Sequence, residues 1–402
     1  MSKESAINVD VVIVGAGMVG LTLANLLSKQ GKSLAIIDRN IPQEFDTTQP
    51  YDARVTAVSP GSQAIFEHVN AWSSMQAKRI TPFNRMVVWD AVEDAKINFS
   101  ASDIQHENLG HIVENLVIQT SLHEALQPQT NINWFVPVVI GNVLTREDHI
   151  EVVLDNDQVL TAKLLVGADG RRSSVRKFAN INYSEKSYQQ QGIVARVQTE
   201  HPHEDTAWQR FLSTGPLALL PLNNGECSIV WSVNDEEANE LMELGEHEFA
   251  QALTKASGLH LGNISLCSKR ATFPLVSGQA ESMVQPRIAL VGDAAHALHP
   301  LAGQGANLGF TDAAILAEVL AQTERDIGSV KVLRKYERAR VGETQVMQRA
   351  MDAFVAAFSS TSTPVITARN YALNAANRIQ PIKKYFMKQA MGLSKNRPGF
   401  AR

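Results

Sequence analysis

The N-terminal hydrophobic pattern changes period twice. Val9 to Val14 is a continuous, β-branched apolar run of the kind that forms a buried parallel strand. After Gly15, apolar residues at Leu21, Ala24, Leu26 and Leu27 follow helical spacing until Gly31, and Leu34-Ala35-Ile36-Ile37 then predicts a second strand. The stretch from Val11 to Ser28 carries no charge, but three glycines interrupt it, and strand, turn and helix account for it better than a membrane span does. Gln158 to Val166 and Ile288 to Val291 read as further strands, each running into a glycine, and a helical pattern covers Leu308 to Leu320. Gly192 to Val197, Ala218 to Pro221 and Cys227 to Val233 alternate instead, which predicts an antiparallel sheet.

The glycines at the strand ends fall into three motifs. The first is Gly15-Ala16-Gly17-Met18-Val19-Gly20. In a strand–turn–helix unit, Gly15 permits the tight turn, Gly17 lets the backbone approach a pyrophosphate, and Gly20 lets helix and strand pack closely. Asp38 closes the second strand, where a carboxylate can accept hydrogen bonds from a ribose diol. This unit alone fits either FAD or NAD. The second motif is Gly167-Ala168-Asp169-Gly170, followed by Arg171, Arg172, Ser173, Ser174 and Arg176. The third is Gly292-Asp293, running on through His296, His299, Pro300, Gly303, Gly305 and Asn307 into the helical pattern. Asp293 can hold a polyol chain. A helix start after the glycine-rich segment favours negative charge on a bound ligand, with Asn307 in the cofactor site and equally able to cap the helix. Three loops in this order suit one long ligand, which selects FAD. The histidines read as structural, and no metal-ligand set is present in the sequence pattern.

Composition adds little until charge is followed along the chain. With 402 residues, 44% hydrophobic and 19% charged, the sequence is that of a globular protein of more than one domain. Cys227 and Cys267 form no CxxC pair, which suits a reducing cytoplasm and disfavours dithiol chemistry. The N-terminal residues show no apolar segment of a secretory signal. After Asp352 there is no acid, while Arg369, Arg378, Lys383, Lys384, Lys388, Lys395, Arg397 and Arg402 supply a charge of +8 in a chain of net charge −4. Within this tail Ile382, Tyr385, Phe386, Ala390 and Leu393 recur at helical spacing, predicting an apolar face with Lys383, Lys384 and Lys388 mostly off it. Such a helix suits either packing on the protein or docking on an anionic lipid surface.

The three motifs resemble those of the FAD-dependent aromatic hydroxylases related to p-hydroxybenzoate hydroxylase. The run His299-Pro300-Leu301-Ala302-Gly303-Gln304-Gly305-Ala306-Asn307-Leu308-Gly309-Phe310-Thr311-Asp312 is similar to the signature of the ubiquinone-biosynthesis hydroxylases. Leu109 to Asn115, Cys227 to Ser232 and Gln389 to Leu393 resemble the same group. The resemblance implies FAD held by Gly15, Gly17, Gly20, Asp38, Gly170, Gly292, Pro300, Gly303, Gly305 and Asn307. Arg54 would reach toward flavin or nicotinamide, Asn115 would lie near the flavin, Asp169 would bridge the FAD and NAD(P)H regions, and Asp293 would bind the ribityl chain.

The implied reaction is ring hydroxylation of a polyprenylated phenol with NAD(P)H and O2, through a flavin C4a-hydroperoxide. The segments around His111 and at His299-Pro300 are nearest the C5-hydroxylase type, with the C6 type close behind. A prenyl reductase of the same fold and a non-catalytic, FAD-stabilised subunit of a quinone-biosynthesis assembly stay open. No catalytic side chain is legible, and no nucleic-acid partner is expected. The implied fold is α/β: a Rossmann-like FAD-binding domain (residues 1–80, 105–180 and 281–350), an inserted antiparallel-sheet substrate domain (81–104 and 181–280) and a basic helical C-terminal region (351–402). The expected location is cytoplasmic, peripheral on the inner face of the membrane.

Overall fold

The computed structural model describes residues 7–92, 95–298, 304–360, 362–393 and 398–401. The chain opens with β1 (Ile7–Val14), α1 (Met18–Lys29), β2 (Leu34–Ile37), β3 (Val55–Val58), α2 (Pro60–His68), α3 (Trp72–Lys78), β4 (Thr81–Phe83), β5 (Arg85–Asp90), β6 (Lys96–Ser100), β7 (Gly110–Glu114) and α4 (Asn115–Leu126). It continues through β8 (Ile132–Phe135), β9 (Ile140–Thr145), β10 (Ile150–Leu154), β11 (Val159–Gly167) and α5 (Ser174–Phe178). The middle of the chain is β12 (Tyr183–Thr199), β13 (Thr206–Leu212), β14 (Gly215–Pro221), β15 (Cys227–Asn234), α6 (Asp235–Glu243), α7 (Glu246–Ser257), β16 (Ile264–Leu266) and β17 (Ala271–Ala280). It closes with β18 (Val284–Gln285), β19 (Ile288–Leu290), β20 (His296–Ala297), α8 (Gln304–Ala321), α9 (Val330–Ser359), α10 (Thr363–Arg378) and α11 (Gln380–Ala390).

One sheet has the order β18-β19-β11-β1-β2-β8, with β10 and β9 extending from β11. Its centre is parallel: β1 pairs with β11 (Val14 opposite Gly167) and with β2 (Val14 opposite Ile37), and β11 pairs with β19 (Gly167 opposite Leu290). Val11, Val12 and Ile13 are fully buried, so β1 is covered on both faces, as a parallel strand of uniform hydrophobicity must be.

The second sheet, β20-β17-β12-β15-β14-β13-β5-β6 with β16 on β12, is antiparallel except where β13 runs parallel to β5. Alternation along β12, β14 and β15 puts Ile193, Ala195, Leu217, Leu219, Ile229 and Trp231 into a core covered by Phe249 and Leu253 of α7. A small sheet, β3-β7-β4, carries Thr81–Phe83 beside Gly110–Ile112. The α/β fold, with its antiparallel sheet and C-terminal helices, is therefore the one the sequence predicts.

Two elements differ from expectation. The helix expected from Leu308 starts at Gln304 and takes in Gly305, Ala306 and Asn307. Glycine costs a helix least at its first turn, and Asn307 is committed to tertiary bonds rather than to capping. The tail's buried face is also different. Tyr385 is 61% exposed and Ala390 is exposed, whereas Lys383, Met387 and Met391, spaced four apart, are buried. Lys383 turns inward because its ammonium meets Asp103 at 2.7 Å while its stem lies on apolar surface. The methionines join Phe83, Leu109, Ile112 and Leu222 in a core cluster. The side chains of Ile382 and Phe386 lie outside the described residues.

Candidate functional site

The three glycine motifs occupy neighbouring loops because β19, β11 and β1 are neighbouring strands. Ala168 donates its N–H to the Val14 carbonyl at 2.8 Å, and Val291 donates to Gly167 at 3.0 Å. Arg176 joins the second loop to the third, donating to the carbonyls of Ala294 (2.8 Å) and Arg171 (2.7 Å) while lying over the Tyr183 ring at 3.7 Å. All three loops thus leave the carboxyl ends of the strands, where open α/β sheets bind ligands.

The glycines divide into two kinds. A Cβ on Gly15 (φ +106°) would stand 2.4 Å from the Ala168 carbonyl oxygen, and one on Gly20 would stand 1.9 Å from that of Gly15, so these two permit backbone to touch backbone. At Gly17, Gly170 and Gly305 the same construction meets nothing within 4 Å. They line open space at the ends of β1 and β11 and at the first turn of α8. Gly292 (φ +59°) turns the third loop against Val19. Pro300 and Gly303 lie outside the described residues.

The carboxylates surround that space. Asp38 accepts the N–H of Ala16 at 2.7 Å and that of Asn40 at 2.8 Å, which fixes the first loop to the end of β2. One oxygen of Asp169 accepts from the Ser174 N–H and hydroxyl at 2.6 and 2.8 Å, and its other oxygen is buried without a hydrogen-bond partner. Asp293 exposes side-chain surface, yet burial of its surroundings raises its pKa, with His296 and Arg171 partly opposing the shift. Exposure together with desolvation means that Asp293 faces a crevice rather than bulk solvent. An orphan acceptor, an acid in a crevice and three open glycines form a cradle that fits a dinucleotide with a polyol.

Arg54 and Asn115 stand together on the other flank. The Asn115 N–H donates to the Arg54 carbonyl at 3.1 Å, and the Asn115 side chain accepts from Thr56 at 2.7 Å. The Arg54 side chain is exposed, touching Asp52 at 3.5 Å. Asn307 is buried: its Oδ1 accepts from the Ser59 N–H (3.0 Å) and the Ser62 hydroxyl (2.7 Å), and its Nδ2 donates to Ala57 (2.8 Å).

Sequence reasoning missed three residues that hold this arrangement. Gln119 donates to the Ala16 carbonyl from α4 at 2.8 Å. Asp312, fully buried on α8, accepts the Gly292 N–H at 2.9 Å and contacts His296 Nε2 at 2.6 Å and Arg340 Nε at 2.6 Å. Arg340 also pairs with Glu343. Asp312 closes the signature run and follows Leu308 at helical spacing, but neither signal gave its partners, which lie at other places in the chain.

A model of the FAD binding domain matches residues 8–353. The 3-demethoxyubiquinol 3-hydroxylase of Escherichia coli strain K12 is 35% identical, covering 96% of this chain and 98% of its own. The mitochondrial ubiquinone biosynthesis monooxygenase COQ6 of Danio rerio is 34% identical, covering 94% of this chain and 88% of its own. This chain belongs to the FAD-dependent ubiquinone-biosynthesis hydroxylase family. A crystal structure of PqsL from P. aeruginosa superposes with a TM-score of 0.75 at 22% identity, covering 88% of this chain and 97% of that one, and it shares the fold. Family membership establishes this chain as an FAD-dependent aromatic monooxygenase.

His111, on β7, is buried edge-on to Trp72 with ring centroids 4.9 Å apart, and its Nδ1 has no partner. Burial disfavours the imidazolium and lowers the pKa from 6.5 to about 4. The folded state therefore keeps this ring neutral while the unfolded chain protonates, so its contribution to stability is present above pH 6.5 and is lost as pH falls toward 4. In urea unfolding followed across that window, His111→Phe, which keeps an aromatic edge on Trp72, loses less stability with acidification than the parent. Equal slopes for both proteins rule out His111 as the source.

Proposed function

We propose that this chain hydroxylates the ring of a polyprenylated phenol or benzoquinol intermediate of ubiquinone biosynthesis, using NAD(P)H and O2, at C5 in preference to C6. What supports the reading is that the three glycine loops leave neighbouring strands bonded to one another, with Gly17, Gly170 and Gly305 each leaving open space beside the backbone. In this reading residues 1–80, 105–180 and 281–350 act as the FAD domain, 81–104 and 181–280 as the substrate domain, and 351–402 as an accessory region.

Bound FAD supplies the electron transfer and oxygen activation that side chains cannot. The chain's own residues hold, orient and shield it. The first loop and the start of α1 offer backbone N–H groups to the pyrophosphate, with Gly17 leaving room for its approach. Asp38 accepts from the ribose, and Asp293 accepts from the ribityl hydroxyls. The start of α8 would favour negative charge on the flavin. Asp169 joins the FAD and nicotinamide regions, and Arg54 and Asn115 border the ring end.

Purified protein supplied with NAD(P)H, O2 and a short-chain prenylated quinol precursor is expected to consume the nicotinamide faster with the precursor than without it, and to yield a product heavier by one oxygen atom. Product NMR assigns the carbon. Reduction of a prenyl double bond instead, or no precursor-dependent turnover by FAD-loaded protein, defeats the proposal. The cofactor geometry has its own measurement. Asp293→Ala removes charged hydrogen bonds of about 1–3 kcal/mol, so FAD affinity in a fluorescence titration drops by roughly one to two powers of ten. An unchanged affinity removes Asp293 from the site.

We further propose that the tail brings the site to a lipid surface, since a polyprenylated substrate partitions into membrane. No helix among the described residues is long and apolar enough to cross a membrane. Val365 and Tyr371 on α10, Ile379 between the helices and Tyr385 on α11 are instead exposed, as are Lys384 and Lys388, a combination that suits interfacial docking. Each lysine near an anionic surface contributes about 1 kcal/mol, so losing both weakens partitioning by roughly thirty-fold. Co-sedimentation with phosphatidylserine vesicles at low salt is expected for the parent and lost in Lys384→Gln/Lys388→Gln. Equal sedimentation of both excludes this surface.

A further inference from the structure

The last turn of α11 ends on the first turn of α2. The Gly61 N–H, one of the unpaired donors at the start of that helix, donates to the Met391 carbonyl at 3.0 Å. A Cβ on Gly61 would stand 2.7 Å from the Gly392 carbonyl oxygen and 3.0 Å from its Cα, so the joint is backbone against backbone. Gly392 turns the tail there with φ +67°, a conformation that favours glycine. Ser59 and Ser62 flank Pro60 and Gly61, and the Ser59 hydroxyl itself lies at the joint, 3.4 Å from where a Cβ on Gly392 would stand. Ser59 and Ser62 hold Asn307 by its side-chain oxygen, and Asn307 lies in the first turn of α8.

A continuous series of contacts therefore runs from the tail, through the start of α2, to the first turn of α8. Three other contacts seat the tail before it reaches Gly61. Arg369 pairs with buried Asp90 at 2.6 Å, Lys383 pairs with Asp103 at 2.7 Å, and Met387 and Met391 fill the cluster around Phe83 and Leu109. A tail that served only to cover apolar surface would need no glycine on both sides of its terminal contact.

We propose that the C-terminal helices are a positioning element of the cofactor site: seating of Met391 and Gly392 on Gly61 fixes the Ser59–Ser62–Asn307 cluster and with it the first turn of α8. The inference rests on the reading of that turn as part of the FAD site. Because coupling between two sites is reciprocal, bound FAD holds the tail down to the same extent that the tail retains FAD. Contact of the tail's outer face with any surface is then felt at the flavin.

Two variants loosen the tail from opposite ends. Gly61→Ala places a methyl group in the joint. Asp103→Asn weakens the Lys383 pair, away from α2 and from the cofactor loops. FAD release from each holoenzyme is followed by the rise in flavin fluorescence after dilution, without NAD(P)H or quinol. Trypsin cleavage at the exposed Lys384 and Lys388 is followed with and without saturating FAD.

Both variants are expected to release FAD about ten-fold faster than the parent, within the usual range of coupling between sites. In the parent, FAD should slow tail cleavage by a similar factor. Faster tail cleavage in either variant with FAD release unchanged overturns the proposal, as does cleavage of the parent tail at one rate with and without FAD. If Gly61→Ala does not fold, Asp103→Asn and the parent digestion decide it. A parent that retains FAD but does not hydroxylate quinols defeats the proposed reaction and leaves this coupling intact.

Discussion

The Asp312 carboxylate is the interaction on which the cofactor end of the molecule depends. It is fully buried, and a buried charge is tolerable only when paired and hydrogen-bonded. Burial alone would raise its pKa, but His296 and Arg340 outweigh burial and bring it to about 2. The stabilisation is therefore complete above the ordinary carboxylate range and is lost only as pH falls toward 2. Its partners come from three places: the Gly292 N–H that opens the third loop, His296 on β20, and Arg340 on α9. Satisfying one charge thus fixes the turn that carries Asp293 against both α8 and α9. An apolar residue at position 312 could fill the volume, but it could not orient that turn.

Through Arg340 the constraint extends to the second sheet. Tyr336, one turn earlier on α9, donates to the Leu290 carbonyl at 2.8 Å, so this helix holds the end of β19 directly as well as α8 through Asp312. Farther along the same helix Asp352 accepts from Tyr188 of β12 at 2.6 Å, and Phe358 stacks on Phe211 of β13 with centroids 4.0 Å apart. Arg369 of α10 then donates to the carbonyls of Ala357 and Phe358 at the end of α9 and to Asp90 of β5. A helix of 30 residues running unbroken across position 350 consequently ties Asp312 and the third glycine loop to β12 and β13 of the second sheet.

What was legible in the sequence is what local pattern controls. β2 occupies Leu34–Ile37 as the apolar run indicated, and Asp38 stands at its end because four buried residues leave no other place for a charge. The three glycine motifs announced their loops because turns impose backbone requirements that only glycine meets at positions such as Gly15. The early start of α8 was not legible, since a stretch containing Gly305 and Asn307 reads as loop until Ser59 and Ser62, far away in the chain, take up the asparagine. Gln119 was missed, and Arg176, named beside the second motif, was given no role, for the same reason. Each donates to a backbone carbonyl, a bond that any long polar side chain can make and that leaves no spacing to read.

The tail shows where counting charge misleads. A run of eight cations without acids invites the reading of a solvated or lipid-facing surface, and helical spacing placed Lys383 off the apolar face. Arg369 and Lys383 are instead consumed inside the protein, each by an acid from a distant segment, Asp90 and Asp103. The absence of acids in the tail has a structural cause as well as an electrostatic consequence, because a local carboxylate would compete for the cations that seat the helices. Once those two are paired, Lys384 and Lys388 remain as exposed cations beside Tyr385. The same helix can therefore bury one lysine to hold itself on the protein and present its neighbour to whatever lies outside. Whether the outer face is wet or lipid-bound, its inner face answers to Asp103, the methionine cluster and Gly61.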